Sequence, residues 1–343
     1  MNLPTKVTMS HIAARAGVSQ STVSLVLNGS YNIKLSDATR EKVLGVAHEM
    51  GYVHKAASRP LVAAKIAMVI TSLVNHDPFI EAISAAQQAA RQHNKLLAIF
   101  DLENEPENCG ALEDEISHGG YQGLIYASCM TRQLTPIFPN LSIPRVMLNG
   151  YCHELSGVPC ILPADKIGAY KATFHLLEQG YTRIAILAGE MWMDAANDRI
   201  EGYRQALINY DIYPEERYIQ VTNWSLKEAY IKTIKLLEMK TRPEAIFCSS
   251  DYIALGCYQA IFSKGLRIPE DVAVVGYDNQ SLSSELTPEL TSVDLPYGEM
   301  GEIALHTLLD IANQHSIVDL KMKVEGMLVI RESSIRPKKI KKV

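Results

Sequence analysis

The sequence predicts an α/β protein with a small all-helical front end: an N-terminal three-helix helix-turn-helix headpiece, then a two-lobed, doubly wound body. Three observations carry this. Two short amphipathic helical stripes flank a glycine turn near the amino terminus. From residue 66 onward, short apolar runs alternate with segments of helical period, in two successive series. The length, 343 residues, suits two or three domains of about 100–200 residues each.

Composition narrows the class. Hydrophobic residues are 47% and charged residues 21% of the chain, which excludes a disordered or fibrous protein. No apolar run reaches the ~18 residues of a membrane span, and Met1–Lys6 lacks the apolar stretch of a secretion signal. Cys109, Cys129, Cys152, Cys160, Cys248 and Cys257 are scattered with no Cys-x-x-Cys pair. That fits reduced thiols in a cytoplasmic protein better than a disulfide or zinc framework. The histidines show no metal-ligand spacing, so neither a metal nor a cofactor is expected.

The net charge of −5 is unevenly spread. Residues 1–65 hold eight Lys/Arg and three acids, and residues 331–343 hold six Lys/Arg and one acid. The segment between holds 19 basic and 34 acidic residues. A basic head on an acidic body points to a polyanion partner for the head alone.

The head is read as follows. Met9, Ile12, Ala13 and Ala16 form one helical stripe. Gly17 supplies the positive φ of a tight turn. Ser19 caps a second helix through about Leu27, which buries Val23, Val26 and Leu27 and turns Gln20, Ser21 and Ser24 outward. Asn28-Gly29 stops it. A third helix starts at Ser36, with Val43, Ala47 and Met50 inward, and ends at Gly51. This pattern places the start of the second helix in the major groove. Lys6, Lys34, Arg40 and Lys42 are the candidates for phosphate contacts.

In the body, the strands expected are Ile66–Ile70, Leu96–Asp101, Gly123–Ser128 and Arg145–Asn149, then Arg183–Gly189, Tyr218–Val221, Ala245–Ser250 and Val272–Asp278. Helices such as Phe79–Arg91 lie between them. In open parallel sheets ligands bind at the carboxyl ends of strands, so two such lobes imply a cleft. The division expected is a 1–52 head, a 53–65 hinge linker and a 66–343 body. Within the body, lobe 1 takes about 66–160 and 295–320, lobe 2 about 161–294 and 321–337, and 338–343 form a basic tail.

The run from Val7-Thr8-Met9 through Ala16-Gly17-Val18-Ser19-Gln20-Ser21-Thr22-Val23 to Asn28-Gly29 resembles the headpiece of the LacI/GalR family of bacterial transcription regulators. Thr39-Arg40-Glu41-Lys42-Val43 and Gly51-Tyr52 fit as well. By that resemblance Gln20 and Ser21 are the main base readers. Thr8, Ser19, Thr22, Ser24 and Asn28 fall where the family holds the DNA backbone, and Tyr52 where it braces the headpiece. Leu25 stands where many members carry a base-reading Arg; an apolar side chain there can touch a thymine methyl but cannot make a bidentate guanine contact.

In the family, the linker forms a short helix only on DNA, and a Leu wedges between base steps. Leu61 matches that position. Pro60 restricts any such helix to start near itself, and the other reading is a flexible linker with an incidental Leu.

The resemblance continues through Asn75-His76-Asp77-Pro78-Phe79, Arg199-Ile200-Glu201-Gly202-Tyr203, Ser249-Ser250-Asp251 to Gly256, Val274 to Asp278, and Leu328 to Ser333, with a body like the periplasmic sugar-binding proteins. The candidate effector contacts are Arg199 and Ser250 by their motifs, Asp278 and Asn149 as polar groups at strand ends, Trp224 as a ring that can stack on a sugar or base, and Phe79 and Ser128. Each has a plainer reading: Arg199 pairing with Asp198 or Glu201, Asp278 capping a strand end, Trp224 anchoring a core. Ser250 stands where the family often has Asn, which leaves selectivity there open.

The function expected is a DNA-binding transcriptional regulator of a catabolic operon, a repressor in the first instance. It is controlled by a sugar or sugar derivative, with a nucleoside or sugar phosphate also open. Partners are a pseudo-palindromic duplex and a second copy in a homodimer or higher assembly. The alternative is a solute-binding protein of a transporter, which shares the body but needs export and gives the basic head no purpose. With no Walker P-loop and no Gly-x-Ser-x-Gly elbow, an enzyme is not expected.

Overall fold

Two compact units, residues 1–63 and 64–343, divide the chain in the computed structural model. The structure describes residues 7–27, 35–50, 52, 64–71, 73, 78–103, 109–138 and 141–337.

In the first unit, α1 spans Met9–Ala16, α2 Gln20–Leu27 and α3 Asp37–Glu49. The Thr8 hydroxyl accepts from the His11 amide at the start of α1, and Gly17 ends it at φ 65°, a conformation that disfavours a side chain. Ser19 Oγ accepts from the Thr22 amide to start α2, and Ser36 Oγ accepts from the Thr39 amide to start α3. The three apolar stripes meet in one small core of Ile12, Ala13, Ala16, Val23, Val26, Val43 and Ala47. The helices fall where the sequence places them. Gly51, expected to end α3, lies outside the described residues, and Met50 is the observed cap.

The second unit runs β1 (Ala64–Ile70), α4 (Ile80–Gln92), β2 (Lys95–Asp101), α5 (Gly110–His118), β3 (Tyr121–Gln133), β4 (Arg145–Tyr151) and β5 (Cys160–Pro163). It continues through α6 (Asp165–Glu178), β6 (Ile184–Ala188), α7 (Asp194–Asn209), β7 (Ile219–Val221), α8 (Leu226–Leu237), β8 (Ala245–Cys248), α9 (Asp251–Ser263) and β9 (Ala273–Asp278). It closes with α10 (Leu282–Glu285), β10 (Thr291–Asp294), α11 (Tyr297–Ala312), β11 (Lys321–Val324) and β12 (Leu328–Val329). One six-stranded sheet has the order β11-β5-β4-β3-β1-β2 and the other β12-β10-β9-β8-β6-β7. Among the described residues all strand pairings are parallel except β10 with β12. The chain therefore crosses between lobes three times: β5 to α6, β10 to α11, and β11 to β12.

Every expected strand is present. The division into lobes needs one correction: β11 pairs in parallel with β5 in the first sheet. Residues 321–324 thus belong to lobe 1, not lobe 2, and the boundary near 160 cuts through β5. β11 is a short edge strand carrying exposed Lys321 and Lys323, so it lacks the apolar run of a buried parallel strand, while β5 is apolar and buried throughout but only four residues long. β3 also runs past the expected Ser128 to Gln133, with a register shift between Ala127 and Arg132.

Helices pack at close range where a glycine allows it. A Cβ on Gly202 of α7 would lie 2.1 Å from the Lys166 carbonyl oxygen of α6, which accounts for the Gly in the Arg199–Tyr203 motif. Below the strand ends the cores are apolar, with Ile186, Tyr203, Phe247 and Val275 buried in lobe 2 and Met68, Ile125 and Leu148 in lobe 1. All six cysteines are buried.

The small head core has no redundancy. Ile12→Ala is expected to destabilise the first unit by about 2–5 kcal/mol. In calorimetry of the full chain, the expected result is a lowered head transition with the body transition unmoved.

Candidate functional site

The start of α2 is the exposed element of the head. Ser19, Gln20 and Ser21 are exposed, while Thr22, Ser24 and Leu25 are half-buried. The Ser19 hydroxyl lies 2.6 Å from that of Ser21 and 2.8 Å from that of Thr22, so the cap residue and its neighbours form one hydroxyl cluster. No acidic residue occupies this first turn, which leaves the positive end of the helix dipole open to phosphate. Thr8 is exposed at the start of α1, and Tyr52 packs against the head core. Asn28 and Leu61 lie outside the described residues, as do Lys6 and Lys34.

In the body, the expected effector residues gather at the carboxyl ends of the two sheets. Arg199, in α7, is buried at the centre of lobe 2. Its Nε and Nη2 both lie 2.8 Å from Asp165 Oδ1. Its Nη1 donates to the Ser249 carbonyl and lies 3.6 Å from Asp278 Oδ1. The guanidinium sits 3.7 Å from the Tyr277 ring centroid and 5.7 Å from that of Trp224, in range of cation–π attraction. The reading that Arg199 pairs with Asp198 or Glu201 is overturned: those acids bond Lys323 and Lys166 instead. Spacing along one helix finds neighbours on that helix, whereas Asp165 and Asp278 arrive from other elements.

Burial pushes the Asp165 carboxyl up and Arg199 pulls it back. Burial also works against the Arg199 charge, but its acidic neighbours prevail and hold it protonated. Trp224 Nε1 lies 2.8 Å from the Met193 sulfur, and the indole lies over Gly189, where a Cβ would come within 2.0 Å of the ring. Ser250 caps α9 by accepting from the Ile253 amide.

In lobe 1, Asn149 is buried at the end of β4. Its Nδ2 donates to the Ser128 carbonyl at 2.9 Å and the Tyr297 hydroxyl at 3.1 Å, and its Oδ1 accepts from Thr131 at 2.6 Å. Ser128 Oγ donates to the Met130 carbonyl. Phe79 is buried edge-on against Tyr297, with centroids 5.3 Å apart. The lobes are tied beside these residues. Tyr151 of β4 donates to Asp194 of α7 at 2.7 Å, and Lys323 of β11 reaches Asp198 of α7 at 3.1 Å.

Five of the ten non-glycine residues with positive φ among the described residues lie here: Asn149, Asn223, Trp224, Asp278 and Asn279, at 47° to 100°. For a bulky side chain such as Trp224 this costs about 1–2 kcal/mol, and such strain clusters at functional sites.

Sequence reasoning missed Asp165, Tyr277, Tyr297, Thr131 and Asp251. Tyr277 and Asp251 directly adjoin Asp278 and Ser250, so adjacency in the motifs was the available signal. Asp165, Tyr297 and Thr131 carried none. Asp251 is buried and supports the Asp278 turn from beneath, accepting from Gln280 N at 2.8 Å and Ser292 Oγ at 2.6 Å.

One cavity lies apart from this cluster and a second adjoins its lobe 1 side, where Thr71 Oγ1 donates to Ser128 Oγ at 3.4 Å. One, about 770 Å³, opens at the amino ends of the first sheet beside His93, Lys95 and His306. The other, about 220 Å³, lies in lobe 1 beside Thr71, Arg132 and Gln133. Neither is lined by any expected effector residue. Among the described residues no group of three metal-ligating side chains occurs, and no helix is long and apolar enough to cross a membrane.

A helix-turn-helix head joined to two α/β lobes with polar and aromatic groups at their strand ends defines a DNA-binding transcriptional regulator. Residues 8–54 match the model for bacterial regulatory proteins of the lacI family, and residues 173–334 that for the periplasmic binding protein-like domain. The chain is 32% identical to the ribose operon repressor of Haemophilus influenzae, over 95% of this chain and 98% of that one. It is 32% identical to the HTH-type transcriptional repressor PurR of Vibrio atlanticus, over 88% and 91%. The solved complex of the transcriptional regulator CelR with cellobiose aligns with a TM-score of 0.67 and 27% identity, over 95% of this chain and 99% of that one. The chain belongs to the LacI family.

Asp251 predicts a pH dependence. Burial pushes its carboxyl up to about 7, against the hydrogen bonds from Ser292 and Gln280, whereas an unfolded Asp titrates near ~3.9. Between those values the folded state holds a proton that the unfolded state has lost. Stability from this group is therefore full below ~4 and falls as pH rises to about 7. Urea midpoints at about pH 5 and about pH 7.5 should differ in the wild type, and the fall toward pH 7.5 should be smaller in Asp251→Asn.

Proposed function

We propose that the head reads a pseudo-palindromic operator as part of a homodimer, and that a small sugar-like effector bound between the lobes sets how tightly it holds on. Gln20 and Ser21 read base edges. Thr8, Ser19, Thr22, Ser24 and Asn28 hold the backbone, Leu25 meets a methyl or other apolar group, Tyr52 braces the head and Leu61 wedges the minor groove. Phe79, Ser128 and Asn149 contact the effector from lobe 1, and Arg199, Trp224, Ser250 and Asp278 from lobe 2.

The observation that carries this reading is the buried Arg199 cluster, polar and strained, set at strand ends beside the ties between the lobes. A ligand there has differential contacts with two lobe arrangements, the requirement for moving DNA affinity by about 1–3 kcal/mol. The relatives favour a repressor of carbohydrate use: one is named for a ribose operon and another is solved with cellobiose. The regulator is expected to act as a binding protein without turnover, in the cytoplasm.

Two variants test the two halves. Gln20→Ala is expected to weaken operator binding about 5- to 150-fold, the worth of one lost base contact at ~1–3 kcal/mol, with non-specific binding at low salt retained. Asp278→Asn is expected to lose the ligand response while the protein still binds operator. Fluorescence anisotropy with labelled duplex, titrated with and without ligand, measures both. Normal effector response in Asp278→Asn would show the site to be misplaced.

A further inference from the structure

We infer that the effector carries an anionic group, a carboxylate or a phosphate, and that Arg132 of lobe 1 holds this group in the cavity of about 220 Å³ beside the effector residues. This rests on the proposed effector site and adds to it a charge-reading residue that none of the family-like motifs contains.

Arg132 lies on β3 at the end of the register shift that begins at Ala127, and irregularities of this kind re-aim side chains. The residue is half-buried, and its Nε is enclosed without a hydrogen-bond partner. Among the described residues its guanidinium makes no ion pair with an acid. A guanidinium is always charged, and a charge drawn out of water without a counter-ion is costly. Enclosed donors without partners are rare in folded proteins, and a bound ion is one of the few things that accounts for one. Other cations at the strand ends are matched: Arg199 by Asp165 and Asp278, and Lys323 by Asp198. Asp101, at the end of β2 near the cavity, accepts from the Leu73 and Glu103 amides instead of from Arg132.

The cavity suits an anion attached to a larger molecule. The Thr71 and Thr135 hydroxyls and the Gln133 amide line it together with Arg132, and each can donate to an oxyanion. The planar fork of an arginine matches a carboxylate or a phosphate. Tyr126 forms part of the wall, its hydroxyl donating to the Thr135 carbonyl at 3.2 Å. A water takes about 30 Å³, so this volume admits the anionic group and the atoms next to it. Hydrogen bonds tie the cavity to the effector residues. Thr71 Oγ1 donates to Ser128 Oγ at 3.4 Å, and Thr131, next to Arg132 in the chain, donates to Asn149 Oδ1 at 2.6 Å. One molecule can therefore set its hydroxyls against Asn149 and its anion against Arg132.

The test is isothermal titration of the full-length protein with matched neutral and anionic compounds. The pairs are galactose and galacturonate, glucose and glucose 6-phosphate, ribose and ribose 5-phosphate, and glucitol and gluconate. At least one anionic member is expected to bind about ten-fold or more tightly than its neutral parent, and whether carboxylates or phosphates do so names the group. Arg132→Gln is expected to bring that pair to equal affinity with the neutral member unchanged, and Arg132→Lys to keep part of the preference. Unliganded melting temperatures check that the variants are folded. A neutral parent that binds as tightly as its anion and is lost in Asp278→Asn overturns the inference and leaves the effector site standing. Arg132→Gln weakening both members alike also overturns it, as does a panel in which no anion, inorganic phosphate and acetate included, binds in an Arg132-dependent way. Arg132-dependent anion binding that survives Asp278→Asn keeps the anion subsite and overturns the effector site.

Discussion

The structure of lobe 2 turns on one constraint: a guanidinium taken out of water must be surrounded by acceptors. Breaking a buried ion pair by removing one partner costs about 3–5 kcal/mol, so Arg199 dictates what may stand around it. Asp165 at the start of α6, the Ser249 carbonyl after β8 and Asp278 at the end of β9 converge on it from three elements. Asp251 then holds the turn after Asp278 from below. The result is a preformed, rigid floor at the strand ends, where an open parallel sheet presents its ligand site.

The helix that carries Arg199 also carries the ties to the other lobe. Asp194 and Asp198 of α7 reach Tyr151 and Lys323 of lobe 1, while Arg199 turns into lobe 2. In the proposed function, a ligand at the Arg199 cluster acts on the helix that carries these two ties. With three crossovers joining the lobes, rotation of one against the other is the motion that the connectivity leaves open, and hinge closure of this type is a common switching device.

The head follows a different physical logic. It is a minimal core of small aliphatic residues that holds a short helix with its first turn exposed. Ser19 satisfies an orphan amide of α2, and in the proposed function the same hydroxyl cluster holds a DNA phosphate. Conformational economy and recognition draw on the same side chains, so a cap substitution would affect both.

Much of this was legible in the chain alone. The head helices, their caps, the strand ladder of both lobes and the positions of Arg199, Asn149 and Asp278 at strand or helix ends all follow from local periodicity and motif spacing. Those signals act over a few residues and survive without tertiary contacts. The partners of Arg199 do not, since Asp165, Ser249 and Asp278 are distant in sequence and meet only when six strands stack in a crossed order. The same holds for β11, whose polar edge character hid its place in lobe 1, and for the charge of the cleft. A sequence counts an arginine as a free cation, and only packing shows that two carboxylates have already neutralised it.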